Sequence, residues 1–382
     1  MTAPTRLHRY LFRIAFTFVG IGATVIASTL EALCAYLRID LQNGGIFTAA
    51  FFIGSTMGIF SGGLLLDRIT SRPVSMTGAG LAGVGLLALA LTPAGGMVLA
   101  LLSIIGFGFG YGFLVVCGNG LAPRYNPMNP ARELSAINFF FGLGAILGPQ
   151  VANIAFTMGD FKTMYVLVAI LAWVIAGVFA FMPNLPPIVK SAVGAKIGWA
   201  GLIPFGLMLF VYVGIEMGFA TWISPQMTLV ASSSVAMGAL GISLFWAGMT
   251  AGRFFASIIA GRVSNELLLV LGIGMVGMGV LGVLIFPATE GILLILSVVV
   301  GFGCAPIFPL AIAILNARYP QGFGAVSGVI IAVGNSGAVV LPTVQGWVGG
   351  GANGGMLVPL IGAGVMLACA LVAMRLPRQE EG

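Results

Sequence analysis

The chain has 382 residues, 59% of them hydrophobic and only 7% charged, with a mean hydropathy of +1.12. A soluble domain carries roughly 25% charged residues, so this composition excludes a water-facing globular surface and makes lipid the solvent. The formal net charge is +6, but the basic residues lie scattered in short polar connections rather than in a patch or stripe, and nucleic acid is not an expected partner.

Cys34, Cys117, Cys304 and Cys369 are far apart and show no metal-ligand spacing. The one histidine, His8, precedes the first apolar run. No metal, cofactor or disulfide framework is therefore expected. The first apolar segment is too long for a signal peptide and lacks a small-residue cleavage site.

About twenty apolar residues cross the hydrocarbon core as a helix. Twelve such stretches are predicted, at about 10–36, 45–66, 74–92, 96–121, 132–158, 163–182, 200–229, 236–262, 267–287, 291–315, 323–348 and 355–376. The expected fold is all-α: twelve transmembrane helices in two six-helix bundles. A β-barrel needs alternating strands of about ten residues, which runs such as Leu293 to Val300 exclude.

With the N-terminus in the cytoplasm, all the basic residues except Arg38 and Lys162 fall on the cytoplasmic side. That is 14 of the 16 Lys and Arg (16 − 2), as the positive-inside rule requires. Both termini are then cytoplasmic.

In the first span Thr17, Thr24, Ser28 and Glu31 share a face roughly 60° wide, with Gly20 beside them. This polar stripe reads as a water-lined path with Glu31 as a proton carrier, or else Glu31 pairs with Arg38. Between the second and third spans, Asp67 at a helix end stands beside Arg68 and Arg72, a breakable charge pair.

Glu133 opens the fifth span, where a helix N-terminus favours an anion, and reads as structural. Farther along the same helix Asn138, Gly142, Ala145, Pro149 and Asn153 form a narrow face. Its small residues permit close helix contact, and Asn138 could reach a ligand. A Pro-rich stretch divides the chain into residues 1–183, a linker 184–199, and residues 200–382.

Glu216 lies about sixteen residues into the seventh span, near the middle of the bilayer. An acid there costs about 2.5–3.5 kcal/mol to insert unless it faces a cavity, pairs or is protonated. At 100° per residue Tyr212, Glu216, Phe219, Trp222 and Gln226 fall within an arc of roughly 120°. Such an aromatic, hydrogen-bonding face suits a sugar ring and its hydroxyls; the alternative is a protonated Glu216 bonded to a backbone carbonyl among packing aromatics. Trp246 and Tyr111 are further candidates for lining a cavity. The tenth span contains Pro306 and Pro309, so it must bend or break and reads as a gating helix. On the eleventh, Asn335 and Gln345 match the amides of the fifth.

The halves repeat. Phe51 to Gly58 (FFIGSTMG) resembles Phe245 to Gly252 (FWAGMTAG), and Val19-Gly20-Ile21 resembles Val213-Gly214-Ile215. Arg68 falls on Arg262, and Arg124-Tyr125 on Arg318-Tyr319, while Gly106-Phe107-Gly108 falls one residue out of step on Gly301-Phe302-Gly303. Two parallel halves related by an axis along the membrane normal are one of the transporter repeat types.

The segment Gly62-Gly63-Leu64-Leu65-Leu66-Asp67-Arg68-Ile69-Thr70-Ser71-Arg72 resembles the signature loop of the major facilitator superfamily. The resemblance implies a cytoplasmic gate in which Asp67, Arg68 and Arg72, with Arg262 of a weaker copy, latch the halves. Asn138 to Pro149, with Asn119 in the fourth span, and Tyr212 to Trp222 are similar to the fucose–galactose–hexose symporter branch and bacterial sugar transporters.

Taken together, these readings make Asn119, Asn138, Tyr212, Glu216, Phe219, Trp222, Gln226, Trp246 and Asn335 the candidate substrate contacts, with Glu216 and Glu31 the candidate proton-coupling groups. The chain departs from that branch at Val115 and Val116, where fucose-type symporters carry an acid. A monomeric secondary transporter of a small polar solute in a bacterial inner membrane is the expected function. Efflux of an amphipathic drug or lipid, and uncoupled sugar facilitation, stand as alternatives. No phosphate-binding loop is present to use ATP, and no catalytic constellation lies within the spans.

Overall fold

The structure, a computed structural model, describes residues 5–128, 130–187, 199–259, 262–286, 288–318, 323–349 and 353–375. Most of the expected linker, and Tyr319 of the repeat, lie outside these residues. Among them, twelve helical segments are long and apolar enough to cross a membrane. In lipid every backbone N–H and C=O must be satisfied within the chain, and continuous apolar runs do this as helices.

The chain divides into two units, Met1–Asp40 with Phe47–Lys190, and Leu41–Ile46 with Ser191–Gly382. The first contains α1 (Arg6–Leu37), nearly all of α2 (Gly45–Leu66), α3 (Ser71–Ala90), α4 (Met97–Tyr125), α5 (Pro130–Met158) and α6 (Lys162–Ala180). The second contains α7 (Ile203–Pro225), α8 (Val235–Ile259), α9 (Asn265–Ile285), α10 (Glu290–Cys304), α11 (Ile307–Arg318), α12 (Phe323–Gly349) and α13 (Leu357–Arg375).

Local sequence sets several ends. Thr5 caps α1 and exchanges hydrogen bonds with His8 in a capping box. Ser264 caps α9 by accepting from the Leu267 N–H at 3.3 Å. The tenth span is two helices: α10 stops at Cys304 and α11 starts at Ile307, because Pro306 cannot supply the backbone donor an unbroken helix needs.

Each unit has the same internal packing. In the first, α1 packs on α5, and α3 on α4 and α6. In the second, α7 packs on α12, and α9 on α10 and α13. The repeated FFIGSTMG and FWAGMTAG segments are helix-contact signatures. A Cβ on Gly54 or Gly58 of α2 would strike the backbone of Ile105 or Phe109 on α4. On α8, Gly248 would strike Val298, and Gly252 Phe302, both on α10. Two glycines four residues apart let the backbones meet, the small-xxx-small device of membrane helices.

The polar stripe of α1 has a different role from the water path its periodicity suggests. A Cβ on Gly20 would collide with the Phe141 carbonyl and Ala145 N–H of α5. Gly144 of α5 sits equally close to the Thr17 carbonyl, and Gly148 to the Thr24 hydroxyl. Thr24 donates to Ile21 O at 2.9 Å, and Ser28 to Thr24 O at 2.7 Å. These hydroxyls satisfy carbonyls of their own helix, and over Thr17–Thr24 the stripe is the α1–α5 seam. The small residues that seat α1 are Gly144, Ala145 and Gly148, while Asn138 on the same helix is exposed.

Candidate functional site

The second unit brings together a group of polar and aromatic side chains around the break in the tenth span. Glu216 lies 13 residues (216 − 203) after the start of α7, about 20 Å along the helix axis, and is only 8% exposed. Tyr212, one turn earlier on the same face, is buried, with its hydroxyl beside the Glu216 carboxyl. Its ring lies 6.3 Å from that of Phe308, just past the break. Phe219 packs on Phe245 with ring centroids 5.3 Å apart, and Phe245 on Trp246 at 5.5 Å, edge to face.

Arg253 is a candidate that sequence reasoning missed. The sequence reads it as a topology signal, yet it lies within α8 and is half-buried. Glycines 248 and 252 draw α8 onto α10 and so place Arg253 beside the end of α10. One signal was available: Arg253 directly follows the repeated Gly252, inside the apolar run of the eighth span rather than beyond it.

The expected arc on α7 divides. Trp222 donates its indole N–H to Pro342 O of α12 at 2.8 Å and packs against Gly346, so its polar atom is committed to a helix contact. Gln226 is buried in a π-helical turn, Gln226–Val230, that extends α7. Gln345 places its amide nitrogen 3.6 Å from Met356 Sδ, and Asn335 is half-buried on α12.

In the first unit, Asn119 and Asn138 are exposed and donate to carbonyls of their own helices, Val115 O at 3.0 Å and Leu134 O at 2.9 Å. Glu31 is half-buried near the end of α1, and Tyr111 packs between Phe51 and Phe107. Glu133 is fully buried, and Arg13 of α1 holds it with two parallel bonds, Nε to Oε1 and Nη2 to Oε2, each 2.7 Å. Its structural role is thus carried by an ion pair between α1 and α5 rather than by the helix end alone.

Of the residues expected at the cytoplasmic gate, Arg72 bonds Met182 O at 3.1 and 2.8 Å, just past the end of α6. Arg318 makes the matching bond in the second unit, to Met374 O of α13 at 2.9 Å. Both guanidiniums supply donors to carbonyls at a helix end. Asp67 is half-buried, and Arg68 and Arg262 are exposed. Among the described residues no cluster of three or more His, Cys, Asp or Glu could hold a metal.

A carboxyl and a phenol are groups that can exchange a proton and hydrogen-bond a polar molecule. Among known proteins, the chain is 21% identical over 357 residues to the glucose/mannose transporter GlcP of Bacillus subtilis (strain 168), covering 88% of this chain and 87% of that one. Its fold is similar to a bacterial homologue of the human lysosomal transporter Spinster (TM-score 0.80, 14% identity, 98% of each chain). It is also similar to a D-xylose–proton symporter (TM-score 0.79, 16% identity, 97% of each chain). The sequence profile of the Major Facilitator Superfamily matches residues 13–291. The chain therefore belongs to the Major Facilitator Superfamily and is a membrane transporter, not an enzyme.

Proposed function

We propose that the protein is a proton-coupled secondary transporter of a small polyhydroxylated solute, a sugar, working by alternating access in a bacterial inner membrane. The observation that carries this reading is Glu216. It is an almost fully buried acid at mid-span, one helical turn from the buried Tyr212 and near a helix break. An ionisable group at that depth persists where it serves a solute or proton path, and a broken helix is tolerated where backbone lines such a path.

Glu216 takes a proton with the solute and releases both on the other side. Tyr212, Phe219 and Trp246 form the aromatic wall, with Gln226, Asn335, Asn119 and Asn138 as candidate polar contacts. Asp67, Arg68, Arg72 and Arg262 form the cytoplasmic gate, the termini are cytoplasmic, and the working unit is the monomer. The names of the sugar-transporting relatives, a glucose/mannose transporter and a D-xylose–proton symporter, support the solute class.

Efflux of an amphipathic molecule is the second reading. It is favoured by the amides of Asn119 and Asn138, which spend donors on their own helices and leave fewer fixed partners for hydroxyls. Uptake of labelled monosaccharides into proteoliposomes, with and without an inward proton gradient, separates the two. Saturable uptake that rises with the gradient is expected; no uptake of any polyhydroxylated solute would leave the efflux reading in place.

A further inference from the structure

Several backbone irregularities fall together at the C-terminal end of α7. Pro225 closes the helix and carries no N–H to continue its ladder. A π-helical turn follows, Gln226–Val230, closed by the Ala231 N–H on Gln226 O at a long 3.4 Å. Beyond it Ser232 has a left-handed backbone (φ 53°), and the Ser233 hydroxyl oxygen is buried without a hydrogen-bond partner. A π turn holds one residue more than an α turn, and such register shifts recur at functional positions of helices.

The side chains around the turn set its two forms against each other. Thr228 donates its hydroxyl to Ser224 O at 3.2 Å and to Pro225 O at 3.4 Å. These carbonyls stand where the α ladder gives way to the π ladder, and in an α-helix they would take the N–H groups of Thr228 and Leu229. The hydroxyl therefore supports the π form more than the α form. Against the π form stand the left-handed Ser232, unfavourable for a residue with a Cβ, and the Ser233 hydroxyl, desolvated with nothing in return.

The surface on which the turn rests can yield. A Cβ on Gly238 or Gly241 of α8 would meet Ser224 Oγ or Met227 Sδ, side-chain atoms that can rotate away. Farther along α8, Gly248 and Gly252 would instead meet the backbone of Val298 and Phe302 on α10. The contact of α8 with α10 is thus fixed, while its contact with the end of α7 is deformable.

We propose that the C-terminal turn of α7 is a hinge that alternates between this π form and an α form during the transport cycle. In the α form one residue passes from the turn into the Ala231–Ser234 connection, which relaxes Ser232 and frees the Ser233 hydroxyl to find a partner. The side chains of Thr228 to Val230 then shift by one residue, about 100° of rotation and about 1.5 Å along the axis. Strained backbone of this kind persists where a site uses it. Gln226, buried at the start of the turn, is the candidate solute contact that the hinge carries, and the hinge itself does not depend on which solute is moved.

Hydrogen–deuterium exchange of the full chain in lipid nanodiscs, read by mass spectrometry, tests this. In the wild type the amides of Gln226 to Ser233 should exchange at least about tenfold faster than those of Phe205 to Ile215 in the body of the same helix. Deleting Leu229, whose side chain is 54% exposed, removes the extra residue and should slow that exchange about tenfold. Thr228→Val withdraws the hydroxyl, keeps the shape and should slow exchange too, by favouring the α form. In a static turn the loss of that hydrogen bond would speed exchange instead.

Faster or unchanged exchange in Thr228→Val would overturn the proposal. Wild-type amides as protected as the body of α7 would overturn it as well, as would a folded deletion variant that exchanges no more slowly than the wild type. Should the deletion fail to fold, Thr228→Val decides alone.

Discussion

Removing Arg13 should destabilise the first unit more than removing Glu133, although the two form one ion pair. Arg13 is 17% exposed and Glu133 0%. Arg13→Gln strands a carboxylate with no access to water, and breaking a buried pair by deleting one partner costs about 3–5 kcal/mol. Glu133→Gln leaves a guanidinium on a long stem that can turn toward the interface. Its cost is that of unsatisfied donors, about 1–3 kcal/mol. Replacing both, Arg13→Met with Glu133→Leu, removes the buried charge and should recover most of the loss. Unfolding in mixed micelles titrated with denaturing detergent, followed by fluorescence of the five tryptophans, measures all four proteins. Equal loss in the two single variants, or a double variant as unstable as Arg13→Gln, would refute the reasoning.

Three other perturbations test the helix contacts. Gly20→Ala should cost about 1–3 kcal/mol or more in the same assay, since the new methyl meets the α5 backbone, whereas Gly80→Ala, with nothing within 4 Å, should be neutral or slightly stabilising. Trp222→Phe should lose about 1–3 kcal/mol of stability through the unmet Pro342 carbonyl, with little change in the half-saturating solute concentration. Pro306→Ala lets α10 run into α11, and transport turnover should fall more than solute affinity, as read from initial rates against equilibrium binding.

Much of the fold was legible because lipid imposes a simple rule: twenty apolar residues make a spanning helix. The repeat was legible too, and its meaning became physical once Gly54, Gly58, Gly248 and Gly252 were seen pressing on neighbouring backbones. Glu216 stood out because an acid in an apolar run has few explanations.

What periodicity cannot give is the neighbour a face points toward. The stripe on α1 carries the polarity of a water path, yet its hydroxyls bond their own helix and its glycine meets α5. Trp222 shares an arc with Glu216 but turns its N–H to α12. Arg13 was hidden for the opposite reason. Near the ends of spans, a basic residue satisfies the topology rule whether or not it also has a partner, so charge counting cannot separate the two roles.

The most direct measurement of the central claim compares two modes of the same protein, solute counterflow and proton-gradient-driven accumulation, in wild type and Glu216→Gln. Counterflow exchanges labelled for unlabelled solute with the carrier loaded throughout and needs no proton release. Glu216→Gln, which mimics the protonated acid, should retain counterflow and lose accumulation. A variant that still accumulates solute against its gradient would show that the proton is carried elsewhere and that Glu216 is not the coupling group.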